Sequence, residues 1–120
     1  MEWTLDKNKA ICPQIVEKIS VQIAGGEYKP GEKLPSVREI ALAAGVNPNT
    51  VQKAFEILEA KNMITTSRGT GSFVSEDTEG AKKVAEDMTK AKIIAFLGEM
   101  KALGYSSENV IEMIRRWNND

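Results

Sequence analysis

Apolar positions recur at helical spacing in most of the chain and switch to an alternating, β-prone pattern in one stretch near its middle. Ile15, Val16, Ile19 and Ile23 form a stripe that predicts a helix opened by Pro13 and running to about Ala24, where Gly25-Gly26 ends it. Pro30-Gly31 then makes a turn that leads through Lys33 and Leu34 into the stretch LPSVREIALAAGVNPNTVQKAF. There Ile40, Ala41 and Ala44 share a face of one short helix, and Val51, Ala54, Phe55 and Leu58 share a face of the next. Residues 63 to 74 read as two β-prone runs around a glycine-rich tip, a hairpin. A long helix is expected from Ala81 to about Leu103, broken by Gly104-Tyr105, and a last helix capped by Ser106 or Ser107 ends near Trp117. Ahead of all these, Trp3-Thr4-Leu5 is either a short strand or a packing anchor.

The boundaries of the central helix pair are written in local chemistry. Ser36 and Glu39 have the Ser-x-x-Glu spacing of a capping box, in which each side chain satisfies a backbone N–H of the other residue. Gly45 supplies the permissive backbone of a sharp helix exit. Asn47 followed by Pro48 marks a second start, Asn as N-cap and Pro where a missing N–H costs nothing. That leaves Asn49, Thr50, Gln52 and Lys53 on or beside the exposed N-terminal part of the second helix. These are side chains able to meet base edges or phosphates in a major groove, Asn and Gln with adenine, Thr with a thymine methyl or a phosphate, Lys with guanine or the backbone. An ordinary solvated helical hairpin explains the same four residues if the pair is considered alone. The hairpin behind them, with Arg68 at its tip and Gly69 and Gly71 suited to positive φ, has the position of a wing whose arginine enters a minor groove or pairs with phosphate.

Three motifs in order, Leu34-Pro35-Ser36-Val37-Arg38-Glu39-Ile40-Ala41, Asn47-Pro48-Asn49-Thr50-Val51 and Arg68-Gly69-Thr70-Gly71-Ser72-Phe73-Val74, closely resemble the winged helix-turn-helix domain of GntR-family bacterial transcription regulators. The resemblance covers roughly residues 10 to 75, and the run Gly26 to Pro35 matches it between the first and second helices. It implies that Arg38 reads a guanine, that Asn49, Thr50 and Gln52 lie at the DNA surface, and that Arg68 and Gly69 form the wing contact. Many members with large ligand domains carry Arg where this chain has Pro48 and Gln52, so their base preferences do not transfer. The Asn-Pro-Asn-Thr version resembles the short YtrA-type subfamily, and the length fits. The expected DNA-contact set is Ser36, Arg38, Asn49, Thr50, Gln52, Lys53, Arg68, Gly69 and Thr70.

Length and charge refine this picture. At 120 residues the chain is too short for a DNA-binding domain joined to an ordinary ligand-binding domain. The net charge of −1 gives no argument for nucleic acid from the total. Residues 1 to 75 carry nine Lys/Arg and eight Asp/Glu, whereas residues 76 to 120 carry seven and nine, so a basic surface has to come from arrangement. The single cysteine, Cys12, excludes an internal disulfide, and its setting between Ile11 and Pro13 suggests a buried structural thiol. No apolar run is long enough to span a bilayer and the N-terminus lacks a signal-peptide plan, so a cytoplasmic location without membrane contact is expected.

No catalytic constellation is found. Histidine, the commonest general base and metal ligand, is absent, the serines lie in caps, turns and the wing, and the Arg-Gly-Thr-Gly tip lacks the Gly-Lys-Ser/Thr of a phosphate loop. No enzyme activity, cofactor or metal is expected.

Beyond the polar run Ser75 to Gly80 the two last helices carry more apolar surface than a pair can enclose. A second copy is the economical partner, in a four-helix arrangement built on Val84, Met88, Ala91, Ile94, Ala95, Leu97, Val110, Ile114 and Trp117. The expected architecture is mainly α with a small β-hairpin: a winged helix-turn-helix domain over 1–75, a linker over 76–80 and a two-helix dimerisation region over 81–120. The corresponding function is that of a sequence-specific, homodimeric repressor that binds an inverted-repeat operator near its own operon, and the resemblance implies operons of the ABC-transporter kind. An effector ligand is not named by any polar cluster. Two readings from other classes stay open: a winged helix that binds protein through Asn49 to Lys53, and a small-molecule sensor using the C-terminal helices.

Overall fold

The computed structural model describes residues 3 to 118. Met1, Glu2, Asn119 and Asp120, at the outer ends of the two expected regions, lie outside the described residues. The order of elements is α1 (Ile11–Ala24), α2 (Val37–Ala44), α3 (Pro48–Ala60), β1 (Ile64–Ser67), β2 (Gly71–Val74), α4 (Glu79–Ala102) and α5 (Ser107–Trp117). The chain divides into two compact units, one up to Ala85 and one from Glu86.

In the first unit the apolar stripes of three helices meet. Ile15 and Ile19 of α1, Ile40 of α2, and Val51, Ala54, Phe55 and Leu58 of α3 are buried together with Leu34, Met63, Ile64 and Val74. Each large aliphatic side chain taken out of water in this way contributes about 1.5–3 kcal/mol. Trp3 belongs to the same core, with the Lys18 ammonium 5.5 Å from its ring centroid, so the Trp3-Thr4-Leu5 segment is a packing anchor and not a strand. The first helix starts two residues earlier than Pro13 suggested. Pro13 sits inside its first turn, where backbone N–H groups have no intrahelical acceptor and a proline removes nothing. Cys12 in that turn is half-buried against the core, more accessible than the sequence implied, because it lies at the rim of the helix's apolar stripe.

Helix α3 ends in a Schellman turn. Asn62, at φ 59°, donates its N–H to the Glu59 carbonyl, and Met63 donates to Leu58 at 3.0 Å. The turn delivers Met63 and Ile64 to the core and launches β1. β1 and β2 pair antiparallel, with Ile64 opposite Val74 and Ser67 opposite Gly71. The segment Glu32–Leu34 runs along β2 on its other side, where Leu34 N–H donates to the Ser72 carbonyl at 2.9 Å and Val74 N–H to the Glu32 carbonyl at 2.8 Å. β2 is thereby paired along both of its edges.

The expected linker 76–80 is shorter in the structure, since α4 begins at Glu79. Asp77 accepts from the Glu79 N–H at 3.1 Å, a side-chain cap at that start. Gly80 lies so close to the end of α3 that a Cβ there would press on the carbonyl oxygens of Lys61 and Asn62. Two effects oppose each other at this position. Helix propensity favours alanine over glycine by ~1 kcal/mol, whereas overpacking against fixed backbone costs ~1–3 kcal/mol. Backbone oxygens in a hydrogen-bonded turn cannot step aside, so Gly80→Ala is expected to lower stability in urea unfolding. A midpoint equal to or above that of the parent chain would show that the contact relaxes freely.

In the second unit α4 ends in a turn through Gly104, with Tyr105 N–H donating to the Met100 carbonyl at 3.0 Å. Ser106 is the N-cap of α5 and forms a reciprocal box with Asn109. Two of the positions assigned to a dimer face are otherwise engaged. Val84 is half-buried against the core of the first unit, and Val110 is buried within the helical hairpin itself. Helical spacing identified both as apolar-face residues, but spacing does not say what covers a face. Of the remaining positions Ala91, Ile94, Ala95, Ile114 and Trp117 are exposed and Met88 and Leu97 half-buried.

Candidate nucleic-acid interface

The sequence-predicted contact residues fall on three segments of the first unit: the start of α2, the first half of α3 and the tip of the wing. At the start of α2, Ser36 Oγ accepts the Glu39 N–H at 3.0 Å, and Glu39 Oε1 accepts the Ser36 N–H at 3.0 Å. The Ser36 amide, then its hydroxyl, hold the Glu39 carboxyl below its ordinary range, and the Lys33 ammonium adds to this. The box fixes the first turn, on which Arg38 projects as an exposed residue.

In α3 the Asn47 side chain accepts the Asn49 N–H at 2.8 Å, and Pro48 occupies the first helical position. Burial of Val51, Ala54, Phe55 and Leu58 turns Asn49, Gln52 and Lys53 outward, while Thr50 is half-buried at the edge of the face. Gln52 Nε2 reaches Glu56 Oε2 at 3.5 Å, one turn further on. The carboxylate of Glu56 restricts the anion-compatible part of this face to the N-terminal half, where the helix dipole is positive. At the wing tip Arg68, Gly69 and Thr70 are all exposed, and Thr70 closes the turn through its N–H and Oγ1, both donating to the Ser67 carbonyl.

Arg38, Lys53 and Arg68 share a property that the sequence does not reveal: no side-chain hydrogen bond or ion pair ties any of them to another described residue. Three exposed cations without an internal counter-charge are free to meet phosphates or base edges.

Two further lysines enter the picture through contacts that lie far apart in sequence. The stem of Lys33 crosses β2 where Gly71, at φ 123°, has no side chain; a Cβ there would stand 2.9 Å from Lys33 Cε. Lys33 thus adds a cation between the wing and the capped start of α2. Lys7 Nζ donates to the carbonyls of Ala44 and Gly45, at the turn between α2 and α3. Neither residue had a local signal beyond being basic. Among the described residues no cluster of His, Cys, Asp and Glu suited to a metal ion is found, and no helix is long and apolar enough to cross a membrane.

The second unit offers a different surface. An open apolar groove of about 500 Å³ is lined by residues including Phe96, Met100, Met113, Ile114 and Trp117. Trp117 is 67% exposed and Ile94 60%, values that leave much of the hairpin's apolar area in water.

Three helices, a two-stranded wing behind the last of them, and an exposed polar and cationic face on that helix define a winged helix-turn-helix protein. The comparisons with known proteins agree. The family described as "Bacterial regulatory proteins, gntR family" matches residues 13–74, and the chain belongs to that family. It is 35% identical to the uncharacterised transcriptional regulator YhcF of Bacillus subtilis, over 96% of this chain and 95% of the relative. It is 40% identical to the transcriptional repressor YtrA of the same organism, over 70% of this chain and 68% of YtrA. Among solved structures, a GntR-family transcriptional regulator from Listeria monocytogenes superposes with a TM-score of 0.84 at 38% identity, covering 93% of this chain and 98% of that one. The DNA-binding domain of AraR in complex with its operator ORR3 matches 53% of this chain and 77% of that one, with a TM-score of 0.53 and 31% identity. The chain is therefore a transcription regulator of the gntR family, a family of DNA-binding regulators and not of enzymes.

Proposed function

We propose that the chain is a homodimeric repressor that binds an inverted-repeat operator close to its own operon and acts by occupying promoter DNA against polymerase. The observation that carries this reading is the exposed, uncompensated trio Arg38, Lys53 and Arg68 on the helix-turn-helix and wing. Arg38 takes a guanine and Asn49 and Gln52 take adenines by bidentate hydrogen bonds. Lys53, Arg68 and the backbone at Gly69 contact phosphate or the minor groove, and Ser36, Thr50 and Thr70 add hydroxyl contacts to the DNA backbone. Repression as the outcome is supported by the likeness to YtrA, and operator binding by the likeness to the AraR complex. The groove on α4 and α5 is the surface on which a second copy docks, which gives the two-fold symmetry that a palindromic site requires. The family suggests that the operon is one of the ABC-transporter kind.

Fluorescence anisotropy on the intergenic duplex upstream of the chain's own gene, against a scrambled duplex at two salt concentrations, tests the reading. A selective, salt-sensitive complex with two chains per site is expected; equal weak binding to both duplexes would remove self-regulation. Lys53→Ala is expected to weaken every duplex by a similar factor and to reduce the slope of log affinity against log salt by about one, as for the loss of one phosphate contact. A loss confined to the selected sequence would reassign Lys53 to base readout.

A further inference from the structure

The segment ahead of α1 is built as carefully as the helix-turn-helix itself. Trp3 is anchored in the core, and the turn at Asp6 is latched to α1 by Gln14. Gln14 Oε1 accepts the Asp6 N–H at 2.8 Å, and Gln14 Nε2 donates to the carbonyls of Asp6 and Ala10 at 2.8 and 3.0 Å. Asp6 Oδ1 in turn accepts the Asn8 N–H at 2.9 Å. Lys7 lies between these fixed points. Its side chain reaches the end of α2, where Nζ donates to the Ala44 carbonyl at 2.9 Å and the Gly45 carbonyl at 3.2 Å.

Those two carbonyls are among the ones that the turn leaves without a backbone donor. Gly45, left-handed at φ 69°, and Val46 both direct their N–H groups to the Ala41 carbonyl. The carbonyls of Ala44 and Gly45 accept from Lys7 instead. An ammonium at a helix C-terminus also meets the negative end of the helix dipole. Two residues beyond Gly45 stands Asn47, the N-cap of α3, so the lysine holds the segment from which the recognition helix starts.

We propose that Lys7 is a positioning residue for operator recognition, holding the α2–α3 turn so that Asn49 and Gln52 meet base edges in register. The proposal rests on the DNA-binding reading above. A bidentate base contact tolerates misplacement of only about 0.5 Å, whereas phosphate contacts made by long, flexible side chains tolerate more. Loosening the turn therefore costs sequence preference before it costs general affinity.

The test uses the duplex that the full chain enriches from a random-sequence pool, with a scrambled duplex beside it, in affinity measurements over a salt series and with thermal midpoints recorded. Lys7→Met keeps the stem and removes the donors, and Lys7→Arg keeps charge and donors. Lys7→Met is expected to weaken the enriched duplex about tenfold, the scale of one base contact impaired. Scrambled binding and the salt slope stay as in the parent chain, and Lys7→Arg recovers most of the preference. Parent-like affinity of Lys7→Met for both duplexes would overturn the inference. So would an equal loss on both with the slope reduced by about one, which would make Lys7 a direct phosphate contact. A parent chain that does not prefer any duplex would instead remove the DNA reading on which the inference stands.

Discussion

Ile114→Glu is expected to convert the protein to a monomer and to lower operator affinity by about two orders of magnitude or more, through loss of the linkage between half-sites. The reason lies in the second unit. Its own interior needs Val110, which is buried between its helices, but it leaves Ile114 51% exposed beside Trp117 at the rim of the apolar groove. A carboxylate at that position remains solvated in a single chain and must be stripped of water in a dimer, at a cost of several kcal/mol when no partner charge is present. Folding of the isolated chain is therefore spared while association is not. Sedimentation would report the mass and circular dichroism the retained helix content. A variant that remains dimeric would place the interface elsewhere, and one that loses its helices would show that Ile114 supports the hairpin itself.

The second large effect is at Arg38. Its guanidinium is exposed, carries no internal partner, and projects from a turn fixed by the Ser36–Glu39 box. A bidentate contact to guanine contributes about 1–3 kcal/mol of discrimination, so Arg38→Ala should lose roughly tenfold to a hundredfold in operator affinity and relax one base position per half-site. Because the variant also lacks a positive charge, a phosphate role would produce a loss too. The two differ in their sequence dependence: a base contact is lost on the operator and not on scrambled DNA, whereas a phosphate contact is lost on both. Unchanged affinity and preference would remove Arg38 from the readout set.

What was legible in the sequence was what local chemistry determines. The Ser36–Glu39 box, Asn47-Pro48 at the next helix start and the glycines of the wing each encode a boundary within a few residues, and the structure has them where they were expected. Pro13 misled by two residues because proline is tolerated throughout the first turn of a helix and does not mark its first position. Val84 and Val110 show a deeper limit. Their spacing declares an apolar face, but whether that face meets the core, the neighbouring helix or another chain depends on the tertiary arrangement.

The same holds for Lys7 and Lys33. Lys7 meets carbonyls 37 and 38 residues away, and the stem of Lys33 lies across Gly71 of the wing. No pattern within either neighbourhood signals such partners. Conversely, the outward positions of Arg38, Asn49, Gln52 and Lys53 were legible because the caps and buried stripes of their two helices are encoded locally.

Whether the protein is a two-fold regulator that reads an inverted repeat is decided by selecting duplexes from a random-sequence pool with the full chain and determining the stoichiometry on the enriched DNA. A palindromic consensus with half-sites one helical turn apart, roughly 34–36 Å, bound by two chains is expected. Enrichment of a single unrepeated half-site by one chain would contradict the dimer, and absence of any enriched sequence would contradict the regulator.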